Sequence, residues 1–362
     1  MSNSQITVLP VDNGDSIMIE HDGCVVITDL NYRRDSQDDD EECYDIGADI
    51  RDACFNAHDE YVCDVFVLTH PDEDHRGGFE DLFYIGDPSK WTSAEDNILV
   101  RELWVSEYMT DTKQATESSK FMFDEVARRK GLIGTATGND DGNRIKILNA
   151  GNQEVSGNIG DTSNLEWQLF APNKEELDIE VEESSNDSSL VIRWNAKVGE
   201  RNNFVLLGGD AGVDVWKRIW QDYKDVSDSL KWHVLVAPHH CSRSSIARKN
   251  DDDEYIYSDD ALAALSKMDG HGFITSSSKT VKNEKPNPPS FEAKGKYLDI
   301  LHNSKDDGED RFFCTGSHDD GSEAPVVFKF TSGGINTTGV KSAATAVGSS
   351  RLTSDRSTYG AR

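Results

Sequence analysis

The sequence predicts a layered α/β fold in a single domain, and three observations carry that prediction. Short apolar runs with strand character are interspersed with helical stretches along most of the 362 residues. Three of those runs stop abruptly at side chains that bind metals: His70/Asp72/Asp74/His75, then Asp210, then His239/His240. Each group is followed by a helix or a loop. Strands with such endings, side by side in one sheet, deliver them to a common rim. Layered α/β folds gather ligands at that rim, just beyond the carboxyl ends of their strands.

In chain order, residues 6–9 and 16–20 read as two strands around the turn Asp12-Asn13-Gly14-Asp15. A third strand, 24–28, ends at Asp29, and a helix is expected over 46–58. Residues 64–69 form a buried strand, with a helix starting near Gly77, and 100–105 alternates as another strand. A helix is expected over 119–130; the rest of 110–160 has little pattern. Strands follow at 166–170, 190–194 and 203–207, then a helix at 213–223 and a strand at 232–237. The closing strands are expected at 272–276, 311–315 and 325–330. From Ser332 the chain is Gly, Ser, Thr and Ala with almost no large apolar groups, so 1–331 reads as the domain and 332–362 as a flexible tail.

Composition narrows the function. The chain is 36% hydrophobic and 29% charged, with a net charge of −30 and acidic blocks at 38–42, 175–183, 251–254 and 306–310. Such a field opposes non-specific attraction to nucleic acid or anionic membrane, so a polyanion needs a locally basic entrance. The six cysteines show no C-x-x-C pair, which fits reduced thiols in a cytoplasm. No secretory signal opens the sequence, and no apolar run approaches the roughly eighteen residues of a membrane span.

The run FVLTHPDEDHRGG (66–78) is the most informative segment. It places four good ligands within six residues at a strand end, rigid enough to fix coordination geometry. Mixed imidazole and carboxylate donors suit zinc, manganese or iron. In the arrangement this implies, His70 and Asp72 hold one metal, Asp74 and His75 hold a second, and Asp210 bridges them. One of the paired histidines completes the second metal. His240 takes that place in the working assignment, with His239 beside the reacting atoms. Two divalent cations close together lower the pKa of a shared water and steady a developing oxyanion.

These segments resemble the metallo-β-lactamase-fold hydrolases, and among them the hydrolase domain attached to bacterial DNA-uptake (competence) channel proteins. The matching stretches are VDNGDSIMI (11–19), VVITDLN (25–31), LTHPDEDHRGG (68–78), SNDSSLVIRW (185–194), FVLLGGDAG (204–212), VLVAPHHCSRSS (234–245) and FFCTGSHDDG (312–321). The resemblance spans roughly residues 5–330 and implies an αββα sandwich with a dinuclear centre of zinc or manganese at the sheet rim. Three departures stand out. Ala171 occupies the stretch where many members carry a further histidine for the first metal, a gap for Asn186 or a water to fill. Cys241 replaces the usual glycine after the histidine pair. In KNEKPNPP (282–289), Lys285 stands where relatives have a histidine before proline.

The expected function is a metal-dependent phosphodiesterase or nuclease acting on an anionic substrate, DNA among the candidates. Asp74, Asp210, His239 and Lys285 form the catalytic set; Ser242, Arg243, Asn186 and Lys285 contact substrate. Arg243, Arg248, Lys249, Lys279, Lys282, Lys285, Lys294 and Lys296 form the basic entrance. Asp15 and Asp29 are expected to tie loops beneath the site. The alternatives are hydrolysis of a small ester, such as a choline-phosphate or a lactone, and a conditionally active subunit with a partner protein in a multi-component bacterial defence system. No serine-nucleophile elbow or phosphate-binding loop motif is present.

Overall fold

The computed structural model describes residues 3–33, 36, 43–92, 96–151, 155–159, 164–177, 185–226, 228–283, 287–302, 308–316 and 323–337. Two mixed sheets face each other. The first has eight strands in the spatial order Gly334–Thr337, Val326–Thr331, Gln5–Val8, Ile17–His21, Cys24–Thr28, Val62–Leu68, Leu99–Ser106, Arg144–Leu148. The second has seven: Phe312–Gly316, Met268–Lys279, Trp232–Val236, Phe204–Leu207, Val191–Ala196, Leu165–Ala171, Ser156–Asn158.

Alternation along the strands explains the layering, because successive side chains point to opposite faces. Val65 and Val67 of the strand Val62–Leu68 face inward with Trp104, Trp167, Trp194, Val205 and Val234 in the core between the sheets. Phe66 and Leu68 face outward, onto Ile46, Ile50, Phe79, Leu82 and Phe123. On the far side, Leu206, Leu235 and Ile274 of the second sheet pack against Trp216, Ile219, Leu265, Tyr297 and Leu301 of three helices. Three apolar layers therefore separate helix, sheet, sheet and helix, the αββα arrangement expected from the resemblance. The helices form for local reasons. In Ile46–Cys54 the buried residues Ile46, Ile50 and Cys54 recur every fourth position, and the Asp45 side chain caps the Gly47 amide.

The strand pairs that matter for the site are parallel. Cys24–Thr28 pairs with Val62–Leu68, and Phe204–Leu207 with Trp232–Val236. Backbone hydrogen bonds tie these strand ends to their neighbours: Leu190 N donates to Thr69 O, and His239 N donates to Gly209 O.

Several expectations are corrected. The helix expected from Gly77 is two short ones, Glu73–Arg76 and Phe79–Leu82, broken at Gly78 with φ of 70°. The helix expected to run to residue 58 ends at Cys54. Strands Arg144–Leu148 and Ser156–Asn158 occupy the stretch with little pattern, and a hairpin of Ala247–Lys249 and Tyr255–Tyr257 follows the histidine pair. The strand Gly334–Thr337 lies beyond the expected domain boundary at residue 331; residues 338–362 fall outside the described residues. Among the described residues no helix is long and apolar enough to cross a membrane, and all six cysteines are free thiols.

Candidate metal centre

Tight turns bring the ligands together. Gly209 takes φ of 47°, and a Cβ there would lie 2.9 Å from Thr69 Oγ1 and 3.2 Å from the Ser189 Cβ. Only glycine lets the Asp210 turn approach the His70 turn so closely. His239, His240 and Cys241 are all left-handed, with φ of 51°, 50° and 65°. Each such non-glycine residue costs about 1–2 kcal/mol, strain of a kind that clusters at functional sites. The result is two rings set nearly perpendicular, at 88°, approaching Asp210 from different sides.

All four imidazoles are held by their Nδ1 atoms. His75 Nδ1 lies 2.8 Å from Asp29 Oδ2, and His239 Nδ1 lies 3.0 Å from Ser244 Oγ. His70 Nδ1 is 3.1 Å from Thr69 Oγ1. His240 Nδ1 is 3.2 Å from Ser277 O and 3.6 Å from Asp15 Oδ1. Such partners on the far nitrogen fix ring orientation and tautomer in metal sites. They leave four Nε2 atoms converging on one carboxylate. His75 and His240 Nε2 lie 3.2 and 3.4 Å from Asp210 Oδ1. His239 and His70 Nε2 lie 3.3 and 3.9 Å from Asp210 Oδ2. Asp74 Oδ2 joins the first pair, 3.4 Å from His240 Nε2; Asp72 Oδ2 joins the second, 3.7 Å from His70 Nε2.

The donor set fits divalent cations. His70 Nε2 and Asp210 Oδ1 are buried without a hydrogen-bond partner, a costly arrangement that an ion relieves. Asp15, His75, Asp210 and His240 bring ligand atoms within 4.8 Å of one another. Asp15 in that group faces the Nδ1 side of His240, so it orients the ring, whereas Asp74 faces Nε2. The residues would hold one ion with Asp74, His75, His240 and Asp210 Oδ1, and the other with His70, Asp72, His239 and Asp210 Oδ2. His239 thus supplies an imidazole on the side where Ala171, buried at the end of its strand, offers none.

The buried carboxylates favour positive charge on one pair of rings. Burial opposes charge on His75, yet Asp210 and Asp29 outweigh it and hold its pKa well above 6.5. Burial likewise works against His240, and Asp210, Asp15 and Asp74 carry it up to about 10. Burial keeps His70 and His239 low. Burial would raise Asp210, but His240, His75 and His239 bring it well below the usual carboxylate range. Asp74 is drawn down to about 2 by His240 and His75 against its burial.

The remaining candidates divide. The Ser242 hydroxyl pairs with Ser244 and Asn287 inside a turn. The Arg243 guanidinium stacks 4.1 Å from the Tyr255 ring centroid and 3.8 Å from Glu292. Asn186 lies in the short helix Ser185–Ser188, beside the Asp72 turn. Lys285 lies outside the described residues. The basic run is largely spent locally: Arg248 pairs with Asp214, Lys249 with Asp253, Lys279 with Asp12 and Lys296 with Asp299. Beside Asp72, whose charge raises the Tyr108 phenol after burial, lies an open pocket of about 410 Å³ lined by Glu107, Tyr108, Gln114, Asn149 and Lys174. The supporting residues Thr69, Ser185, Ser244 and Ser277 carry no sequence signal of their own, because hydroxyls and carbonyls at turns are common.

No family model matches the sequence, and no curated protein does. Among solved structures the chain is similar to a mutant of the β-hydroxylase CmlA, at 10% identity over 90% of this chain and 53% of that one, with a TM-score of 0.43. It thus spans about half of that protein's length. It is also similar to the class B3 di-zinc metallo-β-lactamase LRA-12 from an Alaskan soil metagenome, at 12% identity over 85% and 91% of the two chains and a TM-score of 0.37. A third is the metallo-β-lactamase GOB-18 from Elizabethkingia meningoseptica, at 14% identity, 85% and 93% coverage and a TM-score of 0.33. At these values the likeness carries nothing about the centre, whose chemistry rests on its own atoms.

Proposed function

We propose that the chain is a metal-dependent hydrolase of phosphodiesters, DNA or a nucleotide among them. The observation that carries this reading is the convergence of four Nε2 atoms on the two oxygens of one buried carboxylate, flanked by Asp72 and Asp74. Bound there, two divalent cations supply a water of lowered pKa and withdraw charge from the transition state. The chain's own residues do the positioning. Asp210 keeps the two ligand groups in register, and Asp29, Asp15, Ser244 and Thr69 lock the imidazoles so that little reorganisation remains. Three carboxylates among the donors make manganese as suitable as zinc. Arg243 and Lys285 are the cations proposed to offset phosphate charge, and the resemblance read in the sequence to DNA-uptake hydrolase domains is taken to favour the same substrate class.

Hydrolysis of bis(p-nitrophenyl) phosphate and of single- and double-stranded DNA, with added manganese or zinc, tests the proposal. Wild type should be active, with Asp72→Ala and His75→Ala inactive; equal rates for all three sink it. A second reading, hydrolysis of a small ester, is favoured by the local pairing of the basic residues and by the net charge of −30. Salt separates the two. A nuclease loses activity steeply as salt rises and is inhibited by heparin, whereas a small-ester hydrolase is indifferent to both.

A further inference from the structure

The segment Ser185–Asn186–Asp187–Ser188–Ser189 meets the candidate centre at the Asp72 carboxylate and at the turn that carries Asp210. Ser185 Oγ donates a hydrogen bond to Asp72 Oδ1, which leaves Oδ2 as the oxygen turned toward His70 Nε2. The carbonyl of Ser185 is itself held, accepting from Ser188 Oγ at 2.6 Å. Four residues on, Ser189 Oγ accepts from the Asp210 amide at 3.2 Å, and Asp187 Oδ1 accepts from the Gly212 amide at 3.3 Å. Leu190 N then donates to Thr69 O, beside His70. One short stretch therefore holds the Asp72 carboxylate and the backbone of the turn that carries Asp210. The other side has different supports: Asp29 on His75, and Asp15 with Ser277 on His240.

Asp72 needs the help. It is the ligand on that side with an exposed side chain, at 41% of its accessible surface, whereas His70 and Asp210 are at 0% and 4%. An exposed aspartate otherwise turns freely in water, and fixing one rotamer in advance saves the entropy that binding would cost.

We infer that residues 185–189 are a clamp selective for the ion on the Asp72 side, with Ser185 as a positioning residue that selects the ligating oxygen of Asp72. This rests on the two-ion reading above. Loss of such an outer partner weakens metal binding about 10–100-fold. In Ser185→Ala that loss should fall on one ion and spare the other, and Ser185→Thr, which keeps the hydroxyl, should recover it.

The test is a calorimetric titration of the full chain with zinc alone, with metal content counted by elemental analysis. The same Ser185→Ala change is also measured in His240→Ala and in His239→Ala backgrounds, where one side is disabled in turn. The clamp predicts two ions in wild type, one weakened ion in Ser185→Ala, a further loss in the His240→Ala background and none in the His239→Ala background. Two ions in wild type with unchanged affinities in Ser185→Ala overturn the clamp alone. An equal fall at both sides also overturns it, as a general structural effect. Fewer than two ions in wild type overturn the two-ion reading and the clamp with it.

Discussion

Replacing Asp29 by asparagine should disable half of the centre while leaving the fold standing. Asp29 is fully buried, and its carboxylate accepts three hydrogen bonds: from the Thr69 amide at 2.7 Å, the Thr69 hydroxyl at 2.6 Å and His75 Nδ1 at 2.8 Å. Asparagine keeps one oxygen, which stays on the Thr69 amide because the flipped amide would leave that N–H facing another donor. The NH2 then points at the Thr69 hydroxyl, which rotates to accept, and at His75 Nδ1, which must give up its proton. The ring's remaining proton then sits on Nε2, the atom aimed at Asp210, and that nitrogen lacks the lone pair a metal needs. One charge-assisted hydrogen bond is lost, about 1.5–3 kcal/mol of stability. Metal affinity on the His75 side should fall about 10–100-fold, the usual consequence of losing an outer partner. Urea melts read the first quantity and competition with a zinc chelator the second, while imidazole nitrogen shifts report the tautomer. A variant that binds zinc as tightly as wild type, with the proton still on Nδ1 of His75, refutes the reasoning.

Three other outcomes follow from the same geometry. His239→Ala and His240→Ala should each release one ion and retain the other, as counted by elemental analysis; release of both ions by either change contradicts the assignment of the two rings to opposite oxygens of Asp210. Far from the site, His233 Nδ1 accepts from the Phe204 amide at 3.0 Å, and burial lowers its pKa against the pull of Asp269. Above its ordinary value of 6.5 both states are neutral; below it the unfolded chain takes a proton that the folded one refuses, so stability falls with pH. His233→Gln should therefore lose less stability than wild type between pH 7 and pH 5 in urea melts, and parallel losses count against it. Gly78→Ala should cost more than about 1–2 kcal/mol, the penalty of a left-handed alanine, because the new Cβ also collides with the Tyr32 carbonyl; a melt showing a smaller loss removes that argument.

Much of the architecture was legible because burial on both faces leaves an unmistakable mark. Val62–Leu68, Phe204–Leu207 and Trp232–Val236 are nearly continuous apolar runs, as parallel strands covered on both sides must be. Arg144–Leu148 sits at a sheet edge with four of its five residues only half-buried, so it carries no such mark. Ser156–Asn158, at the other sheet's edge, has no fully buried residue at all. The ligands were legible from residue type and strand-end position. The place of His239 on the His70 side was not, since it depends on three successive left-handed residues at 239–241 that send neighbouring rings to opposite sides of Asp210. The basic entrance read along the chain is reduced by ion pairs with acids both distant in sequence, Arg248 with Asp214 and Lys279 with Asp12, and near, Lys249 with Asp253 and Lys296 with Asp299.

His70 and His75 extend from one sheet, and Asp210 with His239 and His240 from the other, so any ion held here is stitched across the seam between the two halves of the molecule. Occupancy and global unfolding are then linked: each ion bound only by the folded form adds to its stability by mass action. A chelator should lower the melting temperature of the whole domain instead of merely loosening a loop, which makes thermal shift a direct gauge of loading.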